Sequence, residues 1–346
     1  EPRMPKLPRF LVTSALALVL SLPVQAQETG NSGAYLAARV AASEADYRAA
    51  ADWYGRALAE DPANPDLLEG AVLSNLSLGR MALAGDAAQA LAAQGRIGQV
   101  SYMALVDAAA RKGEYEAILN VSQAGAKAGT LLEALVTAWA HLGAGRMSEA
   151  TDGFDALAKT KGLEAFGLYH KALALASAGD FGGADDILSG RAAGPIGVMR
   201  RGVIAHAQIL SQLERNADAV ALLDRSFGND SDPQIDDLRR RLQAGEPIAF
   251  DVVRNATDGL AEVFFTLSTA LNGEADDGYT LLYTRVALDL RPDLTEAVLL
   301  TAGLLEQLGQ HDLATEAYAA VPPDSPVFHG AEKGPAEAAR NARPRD

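Results

Sequence analysis

Apolar and small residues recur along the chain at intervals of about 34 residues. A turn of small or polar residues is followed five positions later by a small apolar residue, usually Ala, and then by an aromatic residue, Leu or Ala four positions further on. These turns begin at positions 45, 79, 113, 145, 179 and 214, and again at 309. The first six are separated by 34, 34, 32, 34 and 35 residues. Within each interval the apolar residues have helical spacing, so the pattern predicts pairs of short helices.

One helix pair is too small to bury its own apolar face, so neighbouring pairs are expected to stack and share one continuous core. The small residue between the two helices allows a tight turn. The Ala five positions later is expected where two helices cross, because a larger side chain would push them apart. These alanines are Ala50, Ala84, Ala150, Ala184, Ala219 and Ala314.

Two segments resemble the second helix of the tetratricopeptide repeat family. They are residues 50–62, AADWYGRALAEDP, and residues 283–292, YTRVALDLRP, and both end in the Pro that closes the unit in that family. The resemblance covers most of residues 34–227 and 258–322. It implies an all-α, right-handed superhelical solenoid of antiparallel helix pairs. The chain departs from the family pattern because Ala or Leu mostly replaces the Trp and Gly of the first helix.

The repeat pattern is interrupted once and then fades. Residues 31–227 are expected to form about six repeats, and residues 258–322 about two more. Between them, residues 228–257 form an irregular insertion, with a short exposed helix near Asp236–Arg241 and a brief extended run at Ile248–Val253. The insertion is consistent with a hinge or with a packed cap. The pattern fades after Pro322, residues 330–346 have no apolar face, and residues 323–346 are expected to be a disordered tail or a truncated repeat.

Residues 1–26 have the pattern of a secretory signal peptide. Arg3, Lys6 and Arg9 precede the uncharged apolar run 10–22, and Val24 and Ala26 occupy the positions that signal peptidase prefers. An apolar run of about 13 residues is short for a bilayer span, although a retained anchor is the alternative. We therefore predict cleavage between Ala26 and Gln27 and a periplasmic or secreted protein with no stable membrane insertion afterwards.

Composition excludes several functional classes. The 45 acidic residues outnumber the 30 basic ones and give a formal net charge of −15, which disfavours nucleic acid as a partner. The chain has no cysteine, which excludes disulfides and zinc–thiolate sites. The five histidines do not have the spacing of a helical metal site, and neither a Gly-x-Ser-x-Gly elbow nor a phosphate loop occurs. We therefore predict no enzyme activity, no metal and no cofactor.

The resemblance also implies a partner-binding groove, because particular first-helix positions line the concave surface of tetratricopeptide arrays. Aromatic residues and Arg at such positions are common anchors of binding energy, although a rare aromatic residue also packs well between helices. The Lys/Asn clamp that grips acidic C-termini in some family members is missing, which favours a hydrophobic or basic segment as ligand. The predicted groove residues are Tyr35, Arg39, Met103, Arg111, Leu135, Trp139, Phe166 and Tyr169.

The sequence thus predicts a non-catalytic scaffold of the cell envelope that holds a protein or peptide segment in the concave face of its array. Two alternatives remain open at this stage. The chain is an accessory repeat region of a larger envelope enzyme or of a secretion or transport complex, or it is an envelope module whose aromatic residues stack on glycans. The step from repeat to function is an analogy at the level of fold.

Overall fold

The structure is a computed structural model that describes residues 29–228 and 232–321. The predicted signal peptide 1–26 and the tail 323–346 lie outside the described residues. The described part forms helices throughout and no strand, apart from one isolated bridge between Gly98 and Lys127. The helices are α1 (Thr29–Ser43), α2 (Tyr47–Glu60), α3 (Pro65–Leu78), α4 (Met81–Ala93), α5 (Gln99–Ala110), α6 (Tyr115–Gln123), α7 (Thr130–Gly143), α8 (Met147–Ala158), α9 (Glu164–Ser177), α10 (Phe181–Leu188), α11 (Arg200–Gln212), α12 (Asn216–Phe227), α13 (Pro233–Gln243), α14 (Ala256–Leu271), α15 (Asp277–Leu290), α16 (Thr295–Gln307) and α17 (His311–Tyr318).

From α1 to α12 each helix packs against the next, as the stacking of incomplete pairs requires. The predicted fold class, an all-α array of tetratricopeptide-like helix pairs, is confirmed. The pairs are α1/α2, α3/α4, α5/α6, α7/α8, α9/α10 and α11/α12. No helix in the described ranges is long and apolar enough to cross a bilayer.

The turn inside each pair has a left-handed residue. Gly79 has φ 74° and Gly113 has φ 70°, and the remaining turns of the array use the same conformation. A left-handed residue after a helix lets the next backbone amides bond back to the last turn, as the amide of Arg80 does to the carbonyl of Asn75 at 2.8 Å. Ala45 (φ 56°) and Glu214 (φ 59°) adopt this conformation without being glycine.

The predicted helix-crossing alanines are confirmed as contact points. Each of the six is 0% exposed and sits on the second helix of its pair. A methyl group at these positions keeps the helix axes close, and the surrounding Leu, Ile and aromatic side chains fill the core on either side.

The segment after α12 differs from the exposed helix that its charges predict. In α13, Ile235, Leu238 and Leu242 are buried while the Arg and Asp side chains of the other face reach solvent. The charged run therefore belongs to an amphipathic helix that packs on α12.

Residues 244–255 are non-helical but tightly attached to α11. The amide of Ile248 donates to Ser211 Oγ at 2.9 Å, and Gln212 Nε2 donates to the Ile248 carbonyl at 2.6 Å. The side chain of Gln208 bonds both the amide and the carboxylate of Asp251. Of the two alternatives for this insertion, a hinge or a packed cap, these contacts favour the packed one.

The last four helices, α14–α17, fold back across the array. Helix α14 packs against α7 and α9, and α15 packs against α3 and α5. At the far end, Tyr47 of α2 shares an apolar cluster with Leu281 of α15 and Leu313 of α17. The first helices of four successive pairs are therefore covered by the chain's own C-terminal helices.

Candidate functional site

The contact between α7 and α14 depends on an aromatic side chain over a glycine. Trp139 of α7 is 0% exposed, and its ring covers the backbone of Gly259 in α14. A Cβ atom added to Gly259 would lie 2.2 Å from Trp139 Cε3, far inside van der Waals contact. Only glycine allows α14 to come this close to α7.

A buried histidine holds the Trp139 ring in place. Trp139 Nε1 donates to His170 Nδ1 at 3.0 Å, and the indole also meets Phe154 edge-on at a centroid distance of 5.6 Å. Burial lowers the pKa of His170 to about 3. The imidazole is therefore neutral, with Nδ1 as acceptor and its proton on Nε2.

Buried charges join α9 and α11 to the C-terminal helices. Glu262 of α14 accepts a hydrogen bond from Tyr169 Oη at 2.8 Å and an ion pair from Arg201 at 2.9 Å. Arg201 also pairs with Glu296 of α16 at 3.3 Å. Burial raises the pKa of Tyr169, and the Glu262 charge raises it further. Burial alone would lower the pKa of Arg201, but Glu262 and Glu296 outweigh it, so the net direction is upward.

A second polar contact joins α5 to α15. Asp107 of α5 is 1% exposed and faces Asp289 of α15. Burial raises the pKa of Asp107 to about 8, and the neighbouring Asp289 contributes to the rise. A pKa in this range favours the protonated form of Asp107 at neutral pH. Arg111 pairs with the same Asp289 at 3.0 Å.

Three predicted groove residues are not on an open surface. Met103, Leu135 and Trp139 are each 0% exposed and belong to the main core. The physical reason is that the first-helix face on which they were placed is covered by α14 and α15. The segments that pack on this face, α14 and α15, belong to the same chain.

Of the other predicted residues, Arg111 forms the ion pair with Asp289 described above. The remaining four lie in two separate places. Tyr35 and Arg39 hydrogen-bond to each other at 3.2 Å in a groove of about 580 Å³ between α1, α3 and α5. Phe166 and Tyr169 lie together in a cavity at the other end of the array. The structure thus does not assemble the eight residues into one continuous groove.

We call the space beside Phe166 and Tyr169 the junction cavity, because it lies where α9 and α11 of the array meet α14 and α16. Its volume is about 360 Å³. Most of the residues that line it are distant in sequence from Phe166, and no local motif marks them. The lining is Ala165, Phe166, Tyr169, Gly197, Val198, Met199, Arg200, Arg201, Glu262, Phe265, Thr266, Thr269, Ala270 and Glu296.

The remaining titratable clusters hold helices together. His206 Nε2 lies 2.7 Å from Asp185 Oδ1, and Arg191 and Arg215 bind the other oxygen of this carboxylate at 2.6 Å. Burial lowers the pKa of His206, although Asp185 acts in the opposite direction. Within residues 29–228 and 232–321, no group of three or more His, Asp or Glu side chains is arranged to hold a metal ion.

Comparison with known proteins gives structural likenesses only. No family model matches the chain, and no curated protein matches its sequence. The tetratricopeptide repeat domain of P58(IPK) is 12% identical, with 91% of this chain and 99% of that chain covered and a TM-score of 0.25. The structure of Naa15/Naa10 bound to HypK-THB is 13% identical, with 90% and 68% covered and a TM-score of 0.27. The assignment of a tetratricopeptide-type repeat rests on the helix pairs themselves.

Proposed function

We propose that this tetratricopeptide-type repeat protein is a non-catalytic scaffold of the cell envelope that holds a segment of another protein. The observation that carries the proposal is the docking of α14 and α15 on the first helices of the array. A surface that binds an apolar helix within its own chain has the chemistry to bind a similar segment from a partner. The junction cavity is the part of this surface that α14 leaves unfilled beside itself.

A scaffold role also fits the state of the polar groups at the cavity. Tyr169, Arg201 and Glu262 are bonded to one another, so they stabilise the docked helices. General acid–base catalysis needs titratable groups that converge on one substrate atom. Paired groups of this kind position α14 and favour binding over turnover.

The envelope location is supported by the signal pattern of residues 1–26. The location is tested by expressing the chain in its natural host with a C-terminal tag, fractionating the cells and sequencing the N-terminus of the recovered protein. We expect recovery outside the cytoplasm with Gln27 as the first residue. Recovery of the uncleaved chain in the cytoplasm would overturn this part of the proposal.

The scaffold role is tested by capture from an envelope fraction, with the mature full chain as bait and chemical crosslinking before lysis. We expect one partner to be enriched, and the purified partner to rebind the purified bait in a defined stoichiometry. An unrelated exported protein used as bait in parallel controls for nonspecific capture and should not recover the partner. Absence of any reconstitutable partner, together with turnover in a small-molecule screen, would contradict the proposal.

A further inference from the structure

The junction cavity has apolar walls and a mouth that reaches solvent. Phe166 of α9 and Phe265 of α14 both line it, together with Val198 and Met199 just before α11. Met199 is 45% exposed, one of the few large apolar side chains of the described residues that solvent reaches to this extent. An exposed apolar residue at the rim of an apolar cavity is typical of a binding site.

The charged groups at one end of the cavity are already paired with one another. Arg200 binds Asp232 at 2.8 Å and Glu296 at 3.2 Å. Arg201 binds Glu262 and Glu296. Two arginines thus face three carboxylates, so an anionic ligand group would have to break an existing pair to bind here. An uncharged apolar group enters without that cost.

The size of the cavity limits its occupant. A volume of about 360 Å³ lies at the lower end of the range for small-molecule sites, about 300–1,000 Å³. This space admits a large side chain with room to spare but not a whole helix. The occupant is therefore an anchor residue whose flanking residues remain outside the cavity.

We propose that the junction cavity binds one large apolar side chain, Leu, Met or Phe, from a partner segment that carries basic residues on either side. The inference rests on the proposed scaffold function and names the chemistry of its partner. The cavity is continuous with the α9–α14 interface, where the same array already holds apolar side chains. Basic flanks complement the net charge of −15 and speed encounter.

The first experiment selects ligands without assuming a partner. A library of random twelve-residue peptides displayed on phage is panned against the immobilised mature full chain. We expect the enriched peptides to share one large apolar residue next to Lys or Arg. Enrichment of acidic or wholly polar peptides, or of none, would overturn the proposal.

The second experiment locates the enriched peptides in the cavity. Ala165→Trp fills the cavity from an exposed position of α9, and Ala156→Trp adds the same side chain at an exposed position of α8 outside it. We expect the Kd of the best peptide to rise at least about tenfold with Ala165→Trp and less than about twofold with Ala156→Trp, where tenfold corresponds to about 1.4 kcal/mol. Equal affinity for both variants would overturn the proposal.

A second pair of variants tests whether the rim of the cavity contacts the peptide, at exposed positions where misfolding is not expected. Met199→Lys introduces a charge at the rim, whereas Leu83→Lys introduces it at a position of α4 that is 53% exposed. Both positions are exposed, so both variants are expected to keep the wild-type circular dichroism and unfolding midpoint. Only Met199→Lys should weaken the peptide, by about tenfold or more.

Other occupants are recognised by independent readouts on the same samples. A stoichiometric acyl lipid in native mass spectra, lost with Ala165→Trp, would overturn the peptide proposal in favour of a lipid. A concentration-dependent dimer that Ala165→Trp abolishes would identify a second copy as the occupant. If a captured envelope partner binds Ala165→Trp as well as wild type, the scaffold function stands and the cavity proposal fails.

Discussion

Trp139 and Gly259 touch so closely that a single added carbon on Gly259 would lie 2.2 Å from the indole ring. Trp139 belongs to the fourth helix pair, and Gly259 belongs to the helix that folds back onto it. The indole is completely buried, so it cannot move aside into solvent. This contact therefore sets how closely α14 can pack against α7.

Gly259→Ala is expected to destabilise the protein by about 2–3 kcal/mol, because an overpacked core must displace Trp139 or shift α14. The matched control is Gly303→Ala in α16, where an added Cβ meets nothing within 4 Å. That change should be neutral or stabilising by about 0.5–1 kcal/mol, since Ala favours helix more than Gly does. Urea unfolding followed by circular dichroism measures both. Equal stabilities of the two variants would contradict the role assigned to the Trp139–Gly259 contact.

His170 is expected to make the folded protein sensitive to acid. Its folded pKa of about 3 lies below the ordinary 6.5, so between these values only the unfolded chain takes up the proton. The stability that this group contributes is complete above pH 6.5 and is lost as the pH falls, at about 1.4 kcal/mol per pH unit. His170→Gln keeps an acceptor for Trp139 Nε1 and removes the titration. The free energy of unfolding between pH 7 and pH 5 should fall less steeply in this variant, and parallel curves would disprove the assignment.

Asp107 is expected to act in the opposite direction. Its folded pKa of about 8 lies above the ordinary 3.8, so between these values the folded chain holds a proton that the unfolded chain has released. The contribution of this group is most favourable below pH 3.8 and is lost as the pH rises to about 8. Asp107→Asn replaces the carboxyl by an amide that carries no charge at any pH.

The stability gained by Asp107→Asn should therefore grow as the pH rises from 5 to 8, at no more than about 1.4 kcal/mol per pH unit. Thermal unfolding at four pH values measures the trend. Asp86→Asn, on the outer helix α4, is the control and should give no such slope. A gain that is constant with pH, or a loss, would show that Asp107 is ionised in the folded state.

The left-handed turns give a fourth prediction. Glu214 has φ 59°, a conformation that costs a residue with a Cβ about 1–2 kcal/mol. Glu214→Gly should stabilise the protein by about 1 kcal/mol. Gly113→Ala should destabilise it by a similar amount, because Gly113 has φ 70° and an added Cβ meets no neighbour, which leaves the backbone as the only cause. Equal unfolding midpoints in all three proteins would argue against strain at these turns.

Much of the local structure could be predicted from the sequence because its causes are local. Turns, helix spacing and the small residue at each crossing depend on contacts within one repeat. A buried Ala such as Ala84 or a left-handed Gly such as Gly113 therefore has the same structural role in every repeat. The charged run of α13 is a helix with most of its charged side chains in solvent, but the charge pattern did not show that its other face is buried. Three apolar side chains on one face decide its burial, and their effect depends on α12 being present to receive them.

The candidate site could be predicted only in part. Phe166 and Tyr169 were identified as groove residues, and both line the junction cavity. Arg201 of α11 and Glu262 and Phe265 of α14 were missed, because they lie on helices far from Phe166 in sequence and have no motif of their own. Trp139 is predicted as a residue of an open partner groove, but it is buried against Gly259 of α14, a contact that the sequence could not show.

The sequence by itself determined that this protein is an array of helix pairs, because a period of about 34 residues records contacts between neighbours along the chain. Only the tertiary structure decided what covers the inner helices and which space is left open. Contacts such as Trp139 with Gly259 join residues 120 positions apart, and such pairings leave no periodic trace. They follow from shape and from buried charge, which exist only once the helices have met.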